Sequence, residues 1–217
     1  MKLKICGMKF LENIEAIAKL KPDYLGFIFY KKSARFFDGI IPKLPSNIKK
    51  VGVFVDSSPS EIIMIANNYN LDVVQLHGNE SEKFILELHK SATLNAEKHF
   101  EIWKVFSVDD TFNFHQLKPF ENRVSKFLFD TKGKQPGGNG FTFDWNALNE
   151  YPSTKPFILS GGIGLDELKN IEKFSKLDVS KYCYAIDVNS KFEIEPGLKS
   201  SVKLEEFKNK LEQWTCY

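Results

Sequence analysis

Eight short runs rich in β-branched and aromatic residues recur along the chain, at 3–6, 24–29, 50–55, 73–76, 102–106, 127–130, 157–160 and 184–188. Segments of helical period lie between most of them, at 10–20, 60–69, 81–90, 111–120, 145–151 and 165–174, and another at 202–214 follows the last. The stretch 37–45, with two prolines and a glycine, reads as irregular. Each connection is long enough to carry the chain back to a parallel neighbour, so the alternation predicts a parallel sheet covered by helices. Eight such units in 217 residues, with no linker or charge block between them, predict an α/β fold: a single TIM (β/α)8 barrel spanning residues 1–217. A doubly wound open sheet is the alternative on pattern alone. Ser58-Pro59-Ser60-Glu61 and Asn79-Glu80-Ser81-Glu82 supply helix-start signals where the segmentation needs them.

Composition narrows the function classes. A net charge of +2 gives no footprint for nucleic acid, and leaves a small anionic substrate open. No run of eighteen apolar residues and no signal-peptide pattern is present, so a cytoplasmic protein with no membrane partner is expected. Cys6, Cys183 and Cys216 are odd in number and lack CxxC spacing, which argues against a disulfide framework or a zinc site.

A barrel of this kind carries its chemistry at the C-terminal ends of the strands. At the first end, period-two alternation places Lys4 and Cys6 on one face and Leu3 and Ile5 on the other, so the polar pair is expected to point inward. An ammonium beside a thiol favours the thiolate; the alternative is an inert buried cysteine. At the sixth end, Asp130 closes an apolar strand, and is either a mouth-facing acid or else an N-cap or a partner for Lys132. The glycine-rich stretch 132–142 after it fits a loop that closes over a ligand, or a plain surface loop.

At the seventh end, Ser160-Gly161-Gly162-Ile163-Gly164 lets backbone N–H groups approach an anion, with the following helix start adding positive potential. Asp187-Val188-Asn189-Ser190 ends the eighth strand, and phosphate sites in such barrels are commonly built from these two loops. Simple turn chemistry is the alternative for the glycines. Arg35, in the loop after the second strand, could pair bidentately with a carboxylate while a neighbouring phenyl ring faces an aromatic group. Gln75 and His77 at the fourth end and Asp56 at the third are candidate ligands for hydroxyls, and His77 is equally readable as structural.

Assembled, these residues resemble the phosphoribosylanthranilate isomerase family across essentially the whole chain. The resemblance rests on Lys4-Ile5-Cys6-Gly7-Met8, Ser33-Ala34-Arg35-Phe36, Val74-Gln75-Leu76-His77-Gly78, Asp130-Thr131, Gly138-Asn139-Gly140, Leu159-Ser160-Gly161-Gly162 and the segment from Asp187 to Gly197, in the family's order. It implies an Amadori rearrangement in tryptophan biosynthesis, with Cys6 matching the general base and Asp130 the general acid. Arg35 matches the residue that holds the anthranilate carboxylate. Gly161, Gly162, Asn189 and Ser190 match the phosphate cradle, Asp187 a further substrate contact, and Lys4, Gln75 and His77 supporting groups. No metal or organic cofactor and no obligate protein partner is implied; the partner is the small phosphosugar-anthranilate substrate.

Three positions depart from the family pattern: Ala34 for a proline, Lys191 for a glycine and Phe141 for a lysine, each bearing on affinity more than on reaction type. Two other functions compete. A non-catalytic phosphosugar-binding barrel would keep the cradle and tolerate loss of Cys6. Another phosphosugar isomerase or epimerase would bring paired carboxylates or a metal-binding histidine set, and the chain has four histidines in all.

Overall fold

The computed structural model describes residues 1–109, 111–131 and 142–214. Its first eight strands are β1 (Lys2–Ile5), β2 (Tyr24–Ile28), β3 (Lys49–Phe54), β4 (Val73–Leu76), β5 (Glu101–Val108), β6 (Lys126–Thr131), β7 (Phe157–Leu159) and β8 (Cys183–Val188). They pair in chain order, all parallel, and β8 pairs back onto β1 to close a barrel. The helices are α1 (Leu11–Ala18), α2 (Pro59–Tyr69), α3 (Glu82–Asn95), α4 (Leu168–Ser175) and α5 (Ser201–Trp214). Ser58 and Ser81 cap α2 and α3, accepting from Glu61 N and Phe84 N at 3.2 Å each, and Pro59 takes the first helical position as expected.

Period-two alternation sorts the strand side chains into two layers. Leu3, Ile5, Leu25, Phe27, Val74, Leu76, Phe127, Phe129 and Ile186 face outward into the core shared with the helices. Tyr24, Val51, Val73, Trp103, Val105, Leu128, Ile158 and Ala185 fill the barrel from within. The parity that turns Leu128 inward also turns Asp130 inward, and Ala185 likewise predicts Asp187. The polar site is therefore the upper continuation of an apolar plug.

Where the helical segments differ from expectation, local chemistry explains it. The segment 111–120 is realised as a 3-10 helix, Phe114–Phe120; Pro119 lies inside it, where in an α-helix its ring would clash with the carbonyl four residues back. The segment 145–151 is a 3-10 helix, Trp145–Glu150; Pro152 forces Tyr151 into the extended region, ψ 112°, and stops it there. The helix after the glycine loop opens as one 3-10 turn, Leu165–Glu167, before α4. That turn carries Asp166 and Glu167, so the positive potential expected at this helix start is shared with two carboxylates. An unexpected hairpin, β9 (Glu193–Glu195) and β10 (Leu198–Lys199), follows β8. Its turn is Pro196-Gly197, with the glycine at φ +91°, as the second central position of a type II turn requires.

Trp103 anchors the inner plug: it is fully buried, packs edge-on to Tyr24 at 5.0 Å and donates its indole N–H to Glu101 at 3.1 Å. Trp103→Ala is expected to cost about 3–5 kcal/mol of unfolding free energy. Urea denaturation checks this: the midpoint drops while the slope stays near that of the parent.

Candidate active site

Cys6 lies one residue beyond β1, yet its amide still donates to Val188 O at 2.9 Å, which keeps it on the β1–β8 ladder. Its thiol lines an open cavity of about 460 Å³ at the C-terminal mouth. Gln75, His77 and Asp130 line the same cavity from β4 and β6. Gly161 and Gly162 reach it from the loop after β7, and Asp187, Asn189 and Ser190 from β8. Arg35 closes the β2 side. The sequence candidates thus share one space, with Lys4 beneath it as support.

Two glycines make room for this arrangement. A Cβ on Gly26 would sit 2.9 Å from the Cys6 sulfur and 3.1 Å from its Cα. At Gly161, φ is +91° and a Cβ would lie 2.4 Å from the Thr131 amide. Thr131 knits the loops after β6 and β7, accepting from Phe143 N at 3.2 Å and donating to Gly161 O at 3.4 Å.

Electrostatics at the thiol are set by opposing forces. Burial pushes the Cys6 thiol above its ordinary value; Lys4, and more weakly Lys199, pull it back, while Asp187 pushes the same way as burial. Lys4 favours the thiolate, as its place beside Cys6 suggested, but desolvation outweighs it. Lys4 itself is spoken for, donating to Asp187 Oδ2 at 2.7 Å with both groups buried. Burial opposes its charged form, but Asp187 and Cys6 outweigh that and raise it. Asp187 is raised by burial despite Lys4. It is Lys4's partner as well as a wall of the cavity; its Oδ1, like Gln75 Oε1, is buried without a hydrogen-bond partner among the described residues.

Asp130 is an inward acid, as its place at the strand end suggested, with His77 Nε2 at 3.4 Å. His77 Nδ1 is 3.4 Å from Gln75 Nε2, so the histidine bridges the two. Asp56 turns elsewhere: it accepts from Asn79 N at 2.7 Å and does not line the cavity. Neither phenyl ring next to Arg35 lines the cavity: Phe36 is half-buried outside it and Phe37 packs in the core against Phe27. Ala34 leaves its loop held by the Tyr30–Ser33 turn and by Ser33 Oγ, which accepts from Arg35 N at 3.1 Å. Lys191 is free of left-handed strain, and its ammonium reaches Asp166 at 3.3 Å. Phe141, Lys132 and all but Thr142 of the predicted closing loop 132–142 lie outside the described residues.

Sequence reasoning missed Glu193 and Lys199. Arg35, read as free for a carboxylate, is already gripped by Glu193 through Nε and Nη2 at 2.8 and 2.7 Å. Burial works against Glu193's ionised form, yet Arg35 and Lys199 hold its carboxyl at about 2. Lys199 is 2% exposed and burial brings it down to about 8. The Pro-Gly turn between two extended runs was the available signal for this hairpin. Among the described residues no group of three or more His, Cys, Asp or Glu side chains gathers as metal ligands, and no helix is long and apolar enough to cross a membrane.

The sequence model of the family described as N-(5'phosphoribosyl)anthranilate (PRA) isomerase matches residues 3–210. The chain belongs to that family. It is 38% identical over 213 residues to the N-(5'-phosphoribosyl)anthranilate isomerase of Parabacteroides distasonis, spanning 95% of this chain and 91% of that protein. The crystal structure of phosphoribosyl anthranilate isomerase from Thermotoga maritima superposes with a TM-score of 0.79 at 28% identity, covering 98% of this chain and 99% of that one. A further family structure holds reduced 1-(o-carboxyphenylamino)-1-deoxyribulose 5-phosphate; it matches with a TM-score of 0.76 at 26% identity over 98% of this chain and 99% of its own.

Gly26→Ala is expected to displace the Cys6 thiol and lower kcat/KM for the family reaction about 10²-fold, the usual effect of misplacing a reacting group by an ångström. Gly39→Ala, whose Cβ would meet nothing closer than 3.5 Å, is the control expected to change nothing. Steady-state kinetics together with circular dichroism separate the two outcomes.

Proposed function

We propose that this cavity isomerises N-(5'-phosphoribosyl)anthranilate to 1-(o-carboxyphenylamino)-1-deoxyribulose 5-phosphate, with Cys6 as general base and Asp130 as general acid. One observation carries the assignment of roles: the thiol and the carboxyl face a common space from β1 and β6, three strands apart on the shorter path round the ring. Asp130 protonates the furanose ring oxygen, and the ring opens to a Schiff base. Cys6 then removes the proton from C2 of the sugar, and the resulting enolamine tautomerises to the ketone.

Burial of Cys6 cuts both ways in this scheme. A raised thiol leaves little thiolate at neutral pH, but each thiolate is a stronger base for a carbon acid. Lys4 supplies the opposing pull that keeps the thiolate within reach.

Substrate orientation follows from the flanks. The open backbone at Gly161 and Gly162, with Asn189 and Ser190, suits the phosphate. Arg35 suits the anthranilate carboxylate. Asp187 Oδ1 and Gln75 Oε1, without a hydrogen-bond partner among the described residues, are acceptors suited to sugar hydroxyls, and an unfilled buried acceptor favours a donor from the ligand. The chemistry draws on side chains of this chain and one small substrate, and a biosynthetic step of this kind argues for a cytoplasmic setting.

Cys6→Ala and Asp130→Asn are each expected to lower kcat by about 10²-fold or more. The check is loss of the substrate's fluorescence in vitro and rescue of a tryptophan auxotroph in vivo. Full activity in both variants would contradict the proposed roles and favour a base and acid elsewhere in the cavity.

A further inference from the structure

The β9–β10 hairpin takes no part in the acid–base steps, yet it brings two buried charges to the edge of the cavity. Glu193 Oε1 accepts from Arg35 Nε at 2.8 Å, from Lys199 Nζ at 2.7 Å and from the Gly197 amide at 3.0 Å; Oε2 accepts from Arg35 Nη2 at 2.7 Å. Lys199 continues the chain, donating to Asn189 Oδ1 at 2.6 Å and to Asn189 O at 3.2 Å. The loop after β2 is thereby tied to the loop after β8. Gly7 lies against the two ends of this chain: at φ +73°, a Cβ there would come within 2.7 Å of Asn189 Oδ1 and 2.9 Å of Arg35 Cδ.

We propose that Glu193 is a positioning residue for the isomerase reaction: its two-point grip fixes the Arg35 guanidinium to receive the substrate's ring carboxylate, while Lys199 holds Glu193 and Asn189 in one frame. The proposal rests on the reading of Arg35 given above. An arginine on a loop has many rotamers, and binding must order it; a partner that orders it beforehand removes that cost from the encounter. Glu193 occupies Nε and Nη2, and Nη1 has no partner among the described residues. Charge balance explains the lysine. A lone Glu193 would cancel Arg35, whereas the trio of Arg35, Glu193 and Lys199 keeps one net positive charge, which suits a single carboxylate. The same frame carries Asn189, so the two ends of the substrate are located by one connected structure.

The amide of Glu193→Gln must turn a donor toward either Arg35 or Lys199, so the fourfold acceptor pattern cannot survive. Inhibition by reduced 1-(o-carboxyphenylamino)-1-deoxyribulose 5-phosphate is compared with inhibition by its counterpart lacking the ring carboxylate. The parent is expected to favour the carboxylated compound about tenfold or more, the usual scale for a charge-assisted contact. Arg35→Ala abolishes that preference. Glu193→Gln removes most of it, raises KM several-fold and leaves kcat within about threefold, because the lost ordering acts on binding and not on proton transfer. In the double variant, Glu193→Gln adds nothing to Arg35→Ala. Should the glutamine variant fail to fold, Glu193→Asp keeps the charge for Lys199 while falling a methylene short of Arg35, and the same preference is read. An undiminished preference in the Glu193 variant alone overturns the role of Glu193. An undiminished preference in Arg35→Ala overturns the assignment of Arg35, and the proposal falls with it.

Discussion

The Lys4–Asp187 ion pair sits where the barrel closes. The two residues are register partners on β1 and β8, they are buried, and their charged atoms are 2.7 Å apart. Neither charge would tolerate that position alone: removing one partner of such a pair typically costs about 3–5 kcal/mol, because the other is left uncompensated in a medium of low polarity. The pair lies above an apolar plug and directly below the reacting cavity. It therefore marks the level at which the barrel interior changes from packing to chemistry.

That position also determines how the thiol behaves. Cys6 is two residues beyond Lys4 on the same face, so it feels an ammonium whose charge is largely engaged by Asp187. Desolvation consequently prevails and the thiol is raised, with Lys4 limiting the rise. In the proposed mechanism Cys6 must be both a strong base and sufficiently populated as thiolate, and the buried pair would adjust the balance between the two. The edge of the cavity uses the same device in a second place, where Glu193 is shared between Arg35 and Lys199. There Lys199 offsets a carboxylate that would otherwise cancel the Arg35 charge, whereas beneath Cys6 the carboxylate of Asp187 takes up most of the lysine's pull.

Local pattern carried much of this into view. Alternation along 3–6 separated Lys4 and Cys6 from Leu3 and Ile5, and its place at the end of an apolar strand marked Asp130 as a mouth-facing acid. The glycines at 161 and 162 were recognisable as a loop open to an anion, and both adopt positive φ. What stayed hidden was non-local. Arg35 and Glu193 are 158 residues apart, and nothing in either neighbourhood announces the pairing. Asp187 was visible as a strand-end acid, but its engagement with Lys4 depends on β8 meeting β1 in one particular register. The net direction of the thiol's shift stayed open for a related reason: a sequence shows the neighbouring cation, while the extent of burial emerges only once the barrel is closed. Helix type failed where prolines intervened, at Pro119 and Pro152, since periodicity cannot distinguish a short α-helix from a 3-10 turn.

The most direct test of the central claim compares the pH dependence of kcat/KM with that of Cys6 alkylation, in the parent and in Lys4→Met. If Cys6 is the base, activity rises with pH as the thiolate forms, and both curves share a midpoint above the ordinary thiol value. Losing the Lys4 ammonium removes a force that favours thiolate, so both midpoints move upward together. A limb of the activity profile that stays in place while the alkylation midpoint moves would contradict the assignment of Cys6 and its dependence on the buried pair.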